Sequence, residues 1–303
     1  MYKPKKTIYT QVTYVDIGGL EKGVAEGGLK GQFRNELGQL DGLLHVVRVF
    51  EDDNVPHPYQ SIDPQRDVET IDGEFLLSDL VMVESRLERI GEEIKRKGRT
   101  LEKAVYDEAA LLERLKTALE AGTPLRNLDL DPAEIKALRG FGLLTLKPTL
   151  IVLNQGDQTR PVTLDYTHQH SSVIDLQGKI DAELSQLEPE DAEIFMAEYG
   201  ITELSAARVI RLSYELLNYE SFFTVGEDEV RAWRVTAGSS APEAAGVIHS
   251  DLQKGFIRAE VFHYDELMAL GSETAVKSAG KFRLEGRDYI VRDGDILHIR
   301  HSG

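Results

Sequence analysis

Val12-Thr-Tyr-Val-Asp16-Ile-Gly-Gly19-Leu20 is the stretch on which the reading of this chain turns. Its β-branched and aromatic start favours an extended strand, and that strand runs directly into Asp-x-x-Gly. In triphosphatases of the phosphate-loop kind, an Asp ending a buried strand faces the magnesium of a bound nucleotide. A Gly three residues later lets a backbone N–H approach the γ-phosphate. Asp16, as an indirect magnesium contact, and Gly19 are therefore candidate nucleotide-binding residues. A phosphate loop of the form G-x-x-x-x-G-K-[ST] should precede such a strand. The 303-residue sequence contains no match to that pattern, and only eleven residues stand upstream of Val12.

Length and composition bound the rest. A chain of 303 residues that is 41% hydrophobic can fill two separate cores. With no cysteine, disulfides and thiolate metal sites are excluded. The basic start Met1-Tyr-Lys-Pro-Lys-Lys6 is followed by Thr-Ile-Tyr-Thr-Gln, which does not read as a signal peptide. No run of about 18 apolar residues occurs, so no membrane partner is expected. A net charge of -17 argues against nucleic-acid binding by the whole surface. No DNA partner is expected, and RNA contacts would have to come from local basic patches.

Three compositional regions follow. Strand-like runs at residues 7–17 and 42–50 flank a glycine-punctuated loop at 18–31. Val83, Leu87, Ile90 and Ile94 then recur at helical spacing, and Leu101, Val105, Leu111 or Leu112, Leu115 and Leu119 repeat the pattern after a break at Lys97-Gly98-Arg99. That reads as an antiparallel helical hairpin. A β-branched run at 149–153 returns to the sheet, residues 193–217 read as helix, and 230–300 alternate short strands with helices, with a turn at Val291-Arg-Asp-Gly-Asp295.

Read together, Asp16-Ile-Gly-Gly-Leu20, Leu44-His-Val-Val-Arg48 through His57, Leu146-Lys-Pro-Thr-Leu-Ile-Val-Leu-Asn154, Val230-Arg-Ala-Trp233 and Ala241-Pro-Glu-Ala-Ala-Gly-Val-Ile-His249 closely resemble the YchF / Obg-like ATPase family. The runs Gly255-Phe-Ile-Arg-Ala-Glu260 and Ala279-Gly-Lys-Phe-Arg through Asp295 resemble that family's TGS domain. The resemblance implies an α/β fold: a mostly parallel, G-domain-like phosphate-loop NTPase sheet lacking its N-terminal piece, an inserted coiled-coil hairpin and a C-terminal β-grasp TGS domain. The implied boundaries are 1–82 and 125–218 for the two parts of the nucleotide domain, 83–124 for the hairpin and 219–303 for the TGS domain.

Site residues follow from the same resemblance. Guanine-specific relatives end a strand in Asn-Lys-x-Asp, where Asn braces the loops and Asp reads the base. Here the strand ends in Asn154-Gln155-Gly156-Asp157, where the family has Asn-x-x-Glu. ATP is expected over GTP, with magnesium. Asp157 would suit guanine, whereas Lys is missing at 155. Gln155 is expected against the base, and the backbone of Gln177, Gly178 and Lys179 is expected to close the pocket. Leu20 stands where many GTPases place a water-orienting Gln. His57 aligns with a family His proposed to act from a mobile loop, and a His can relay a proton near neutral pH. His45 reads as a core histidine. His168 and His170 at i, i+2 could hold a metal but have no third ligand.

The absent phosphate loop implies an incomplete family member, a fragment or a start assigned too late rather than a natural truncation, which stays the alternative, with impaired binding and hydrolysis. Two functions stay open. One is a cytoplasmic ATPase whose nucleotide state gates binding to the ribosome. The other is a non-catalytic RNA- or protein-binding module acting through the hairpin tip, Lys95, Arg96, Lys97 and Arg99, and through Lys281, Arg283 and Arg287 of the TGS domain.

Overall fold

The computed structural model describes residues 4–17, 29, 31–98, 102–156 and 160–302. They sort into two compact units, described separately here: residues 17–216, and residues 4–16 together with 217–302.

The first unit is built on a three-stranded parallel sheet in the order β2-β3-β4, from β2 (Leu43–Arg48), β3 (Thr149–Asn154) and β4 (Ser171–Leu176). The central strand β3 reads Thr-Leu-Ile-Val-Leu-Asn and is buried on both faces as far as Leu153, as expected of a parallel strand covered on both sides. Helix α1 (Gly31–Gln39) precedes β2. Helix α2 (Pro64–Lys97) starts at an Asp63 cap that accepts from Arg66 N, with Pro64 at its first position. Val68 of α2 packs with Val47, Ile151 and Leu153 of the sheet. Further along, Val83 and Ile90 meet Leu111, Leu112, Leu115 and Leu119 of α3 (Lys103–Glu120). The hairpin expected at 83–124 is therefore the outer part of a longer helix whose first turns belong to the sheet. Arg86 crosses to Glu108 with Nε–Oε1 at 2.7 Å and Nη2–Oε2 at 2.8 Å.

After α4 (Pro132–Leu138) and β3, residues 160–170 form an extended strap that sends Val162, Leu164 and Tyr166 onto the core of Val47 and Ile151. Helices α5 (Gly178–Leu184), α6 (Pro189–Tyr199) and α7 (Ser205–Leu216) close the unit. The helix read at 193–217 is thus two helices, divided where Gly200 adopts φ 67° and ends α6.

The second unit carries a six-stranded sheet in the order β1-β6-β5-β9-β7-β8. Its strands are β1 (Lys6–Ile8), β5 (Tyr219–Thr224), β6 (Glu229–Thr236), β7 (Phe256–His263), β8 (Arg283–Glu285) and β9 (Asp295–His301). Helix α8 (Ala241–Ile248) lays Ala241, Ala244 and Ala245 against Phe222, Phe256 and Val261, and α9 (Ser250–Lys254) follows it. On the other side, α10 (Tyr264–Leu270) and α11 (Glu273–Ser278) contribute Leu267 and Val276 to a cluster with Phe262 and Ile296. The turn read at 291–295 is present, with Gly294 at φ 86° before β9.

The fold class expected from sequence is found: a parallel α/β sheet, a helical insertion and a C-terminal TGS-like domain. One expected element is absent. Residues 12–17 form no strand, and Tyr14 and Val15 are exposed. The upstream run forms only β1, which pairs in parallel with β6, Thr7 opposite Val230. Residues 4–16 thus sort with the C-terminal unit rather than with the nucleotide sheet. A strand needs a neighbour for its backbone groups, and residues 12–17 pair with none. Among the described residues nothing pairs with the outer edge of β2, whose Leu44 and Val46 are exposed.

Candidate nucleotide site

The C-terminal ends of parallel strands, where binding sites of open α/β sheets form, bring together five of the residues singled out from sequence. The β3–β4 ladder is prolonged by Gln155 N donating to Leu176 O at 2.8 Å. Asn154 Oδ1 accepts from Gly178 N at 3.1 Å, so this side chain ties the loop after β3 to the start of α5. Gln177 Nε2 adds a second tie to Gly156 O at 3.1 Å. Both glycines are closely approached by side chains. A Cβ at 178 would stand 3.0 Å from Asn154 Oδ1, and one at 156 would stand 2.9 Å from Phe50 Cβ. Lys179 is exposed in the first turn of α5.

Gln155 differs from its expected role. Its side chain turns inward and is nearly buried, with Nε2 donating to Arg160 O (3.0 Å) and Asp175 Oδ1 (2.9 Å) and Oε1 accepting from Arg160 N (3.2 Å). It braces the strap. Asp157, Gly19, Leu20 and Arg99 lie outside the described residues. Asp16 is exposed and sorts with the other unit.

His57 sits in the loop between β2 and α2, with Nδ1 accepting from Tyr59 N at 3.2 Å and Nε2 3.0 Å from Asp67 Oδ2. An Nδ1 that accepts leaves the proton on Nε2, which donates to Asp67. Both ring nitrogens are engaged, so proton transfer to a substrate requires this imidazole to leave Asp67. His45 on β2 is half-buried and is held below the usual histidine range by burial, against the pull of Asp72 and Asp67. His168 meets Asn127 at 3.0 Å, and no group of metal-ligating side chains occurs among the described residues.

Sequence reasoning does not reach Phe50 or Asp67. The wall formed by Phe50 has a local signal in the glycine at 156, but the Asp67–His57 pair has none, because only the loop geometry brings α2 to residue 57. At the hairpin tip, Lys95 and Arg96 are exposed and Lys97 pairs with Glu93 at 2.9 Å. In the second unit Lys281 lies 3.8 Å from Glu266, Arg283 lies 3.5 Å from the buried Asp295, and Arg287 donates to Phe256 O. The exposed Arg258, opposite Arg300 in the β7–β9 ladder, is a cation of that unit not singled out from sequence.

A parallel sheet whose strand ends are closed by an Asn-to-backbone clamp, with a helical insertion and a C-terminal β-grasp-like domain, defines a G-domain-like class of nucleotide-binding protein. Comparison with known proteins narrows the class. Residues 219–302 match the family YchF-GTPase_C, described as a protein of unknown function (DUF933). The Ribosome-binding ATPase YchF of Bacillus subtilis is 39% identical over all of this chain and 84% of its own length. That of Haemophilus ducreyi is 40% identical over 99% of this chain and 84% of its own. The solved structure of the Schizosaccharomyces pombe YchF GTPase matches with a TM-score of 0.78 and 30% identity, covering 93% of this chain and 77% of that one. The chain belongs to the YchF family.

Proposed function

We propose that this protein is a cytoplasmic ATPase whose nucleotide state gates ribosome binding, with ATP preferred to GTP. The observation that carries the nucleotide reading is the clamp of Asn154 on Gly178, reinforced by Gln177 on Gly156, which ties together the loops at the C-terminal end of the sheet. Support for adenine comes from position 155, where a guanine site would have Lys and this chain has a Gln committed to Arg160 and Asp175. Ribosome binding is drawn from the names of the relatives.

The remaining assignments follow the sequence reading. Magnesium is commonly held by one or two carboxylates together with substrate phosphates, and the sequence reading gives Asp16 an indirect contact of that kind. The ion would offset phosphate charge. Gly19 would offer its N–H to the γ-phosphate, Asp157 would face the base edge, and the apolar Leu20 would leave water placement to another group. His57, once released from Asp67, would hold or pass the proton. With no phosphate-loop motif in its sequence, the 303-residue chain forgoes at least three charge-assisted hydrogen bonds, about 5 kcal/mol or several thousandfold in affinity.

Calorimetric titration with ATP and GTP in magnesium buffer tests the reading. Weak binding that favours ATP and disappears in Asn154→Ala is the expected result; tighter binding of GTP would reject the base assignment. A folded chain that binds neither nucleotide would favour the second reading, a docking module. The exposed Lys95 and Arg96 at the hairpin tip support that reading. Salt-sensitive ribosome co-sedimentation abolished by changing Lys95, Arg96, Lys97 and Arg99 to Ser would place docking at the tip.

A further inference from the structure

We infer that Asp67 is a positioning residue for His57, holding that imidazole as a hydrogen-bond donor through Nε2. This deepens the proposed function and rests on that reading for one thing, the acceptor that the donor meets, a phosphate oxygen. The two ring nitrogens have contacts of different kinds. Nδ1 accepts from Tyr59 N at 3.2 Å, two residues along the chain, and Gln60 N donates to His57 O at 2.9 Å to close a turn over residues 57–60. Pro58 stands between His57 and Tyr59, and its ring fixes one dihedral of that turn. Gln60 completes it in the left-handed region at φ 57°, a conformation unfavourable for a residue with a Cβ and of the kind that gathers at functional sites. Those bonds are local. The contact of Nε2 with Asp67 Oδ2, at 3.0 Å, crosses from the loop to α2.

Both ends of the loop are anchored by arginines. Upstream, Arg48 donates to Asp52 O and Val55 O; downstream, Arg66 donates to Ser61 O at 2.9 Å. Movement therefore falls on the segment between, which carries the 57–60 turn. The internal bonds of that turn travel with it, so when His57 leaves Asp67 the Tyr59 N–H stays on Nδ1 and the proton stays on Nε2. A ring in that form has no lone pair for taking a proton from water; it offers an N–H. Asp67 can release it without being stranded. Its Oδ1 accepts from Arg66 Nε (3.0 Å) and Nη2 (2.8 Å), so the carboxylate remains paired once Oδ2 gives up the imidazole, and the cost of an uncompensated charge is avoided. A phosphate oxygen is the same kind of acceptor as Oδ2, an anionic oxygen that takes a charge-assisted bond. Asp67 thus holds the donor in place until a nucleotide oxygen takes over.

The test is proton–nitrogen correlation spectroscopy of the full chain, isotope-labelled on its histidines, at about pH 8 where an ordinary imidazole is neutral. His57→Gln assigns the signal. The side chains of His57 and Asp67 are only 12% and 14% exposed, so the Nε2 proton should be sheltered from exchange. Without nucleotide, the parent should show His57 protonated on Nε2 and not on Nδ1. In Asp67→Ala the Nε2 proton should exchange about tenfold or more faster, the worth of a hydrogen bond to a charged group, while Nδ1 stays unprotonated. His263 in the C-terminal unit is an internal reference, since its Nδ1 accepts from Asp265 N and its Nε2 lies 2.9 Å from Asp293 O; its signals should match in the two proteins. Added magnesium and ATP should shift the Nε2 resonance of His57 in the parent and leave Nδ1 unprotonated. A parent ring protonated on Nδ1, alone or together with Nε2, would overturn the inference and needs no variant to fold. So would unchanged exchange in Asp67→Ala, or bound ATP that leaves the Nε2 resonance where it was. The expected nucleotide-free spectra in a chain that binds no ATP would reject the ATPase reading and uphold the positioning of His57 by Asp67.

Discussion

Asn154 shows how one polar side chain at a strand end can organise two loops. Its amide oxygen takes the Gly178 N–H at the start of α5, a group that has no intrahelical partner of its own. The neighbouring glycine is the sensitive position. In Gly178→Ala the added methyl would stand 3.0 Å from Asn154 Oδ1, so the clamp must open by a few tenths of an ångström. Nucleotide titration of this variant should show a loss of about 1 kcal/mol, the worth of one hydrogen bond, with little change in thermal midpoint. Unchanged affinity would mean that the clamp does not shape the pocket. Asn154, Gln177 and Gly178 were accessible from sequence through the family resemblance, Asn154 ending β3 and Gln177 and Gly178 leading from β4 into α5. The inward turn of Gln155 was not, since its partners Arg160 and Asp175 are fixed by the strap and by β4.

At the scale of elements, periodicity reveals the hairpin, because Val83, Ile90, Leu112 and Leu115 are buried at the spacing that the sequence shows. It does not reveal where α2 begins, since Val68 and Phe75 serve the sheet side rather than the hairpin. Nor does strand propensity at 12–17 by itself produce a strand, although the outer edge of β2 has no partner among the described residues. What fixes α2 against the rest of its unit is Asp79, fully buried, which accepts from Leu144 N (2.9 Å), Thr145 N (2.8 Å) and Thr145 Oγ1 (2.7 Å), with Arg34 of α1 at 3.8 Å. Burial raises this carboxyl above its usual range despite those bonds. Removing it in Asp79→Ala leaves two backbone donors and the Thr145 hydroxyl without their acceptor and takes the counter-charge from beside Arg34, and should cost about 3–5 kcal/mol by urea denaturation. A cost below about 1 kcal/mol would show that the node does not hold the elements together.

At the scale of the molecule, the separate cores of the two units mean that pH should act on each through its own groups. The chain has one tryptophan, and Trp233 packs in the core of the C-terminal unit, so its fluorescence follows that unit alone. There the fully buried Asp295 takes the Tyr289 hydroxyl at 2.7 Å and Arg292 N at 3.0 Å. Burial, then the bond and charge of Asp295, push Tyr289 up to about 12. A phenol whose folded pKa lies above its unfolded value of about 10 is protonated more firmly in the folded state. Its contribution to stability is therefore complete below about pH 10 and is lost as pH rises toward 12. Urea midpoints followed by Trp233 emission should fall steeply over that window in the parent chain. In Tyr289→Phe they should start lower, because Asp295 loses a donor, and this part of the alkaline decline should vanish. Equal slopes in the two proteins would mean that the C-terminal unit does not depend on the Tyr289–Asp295 bond.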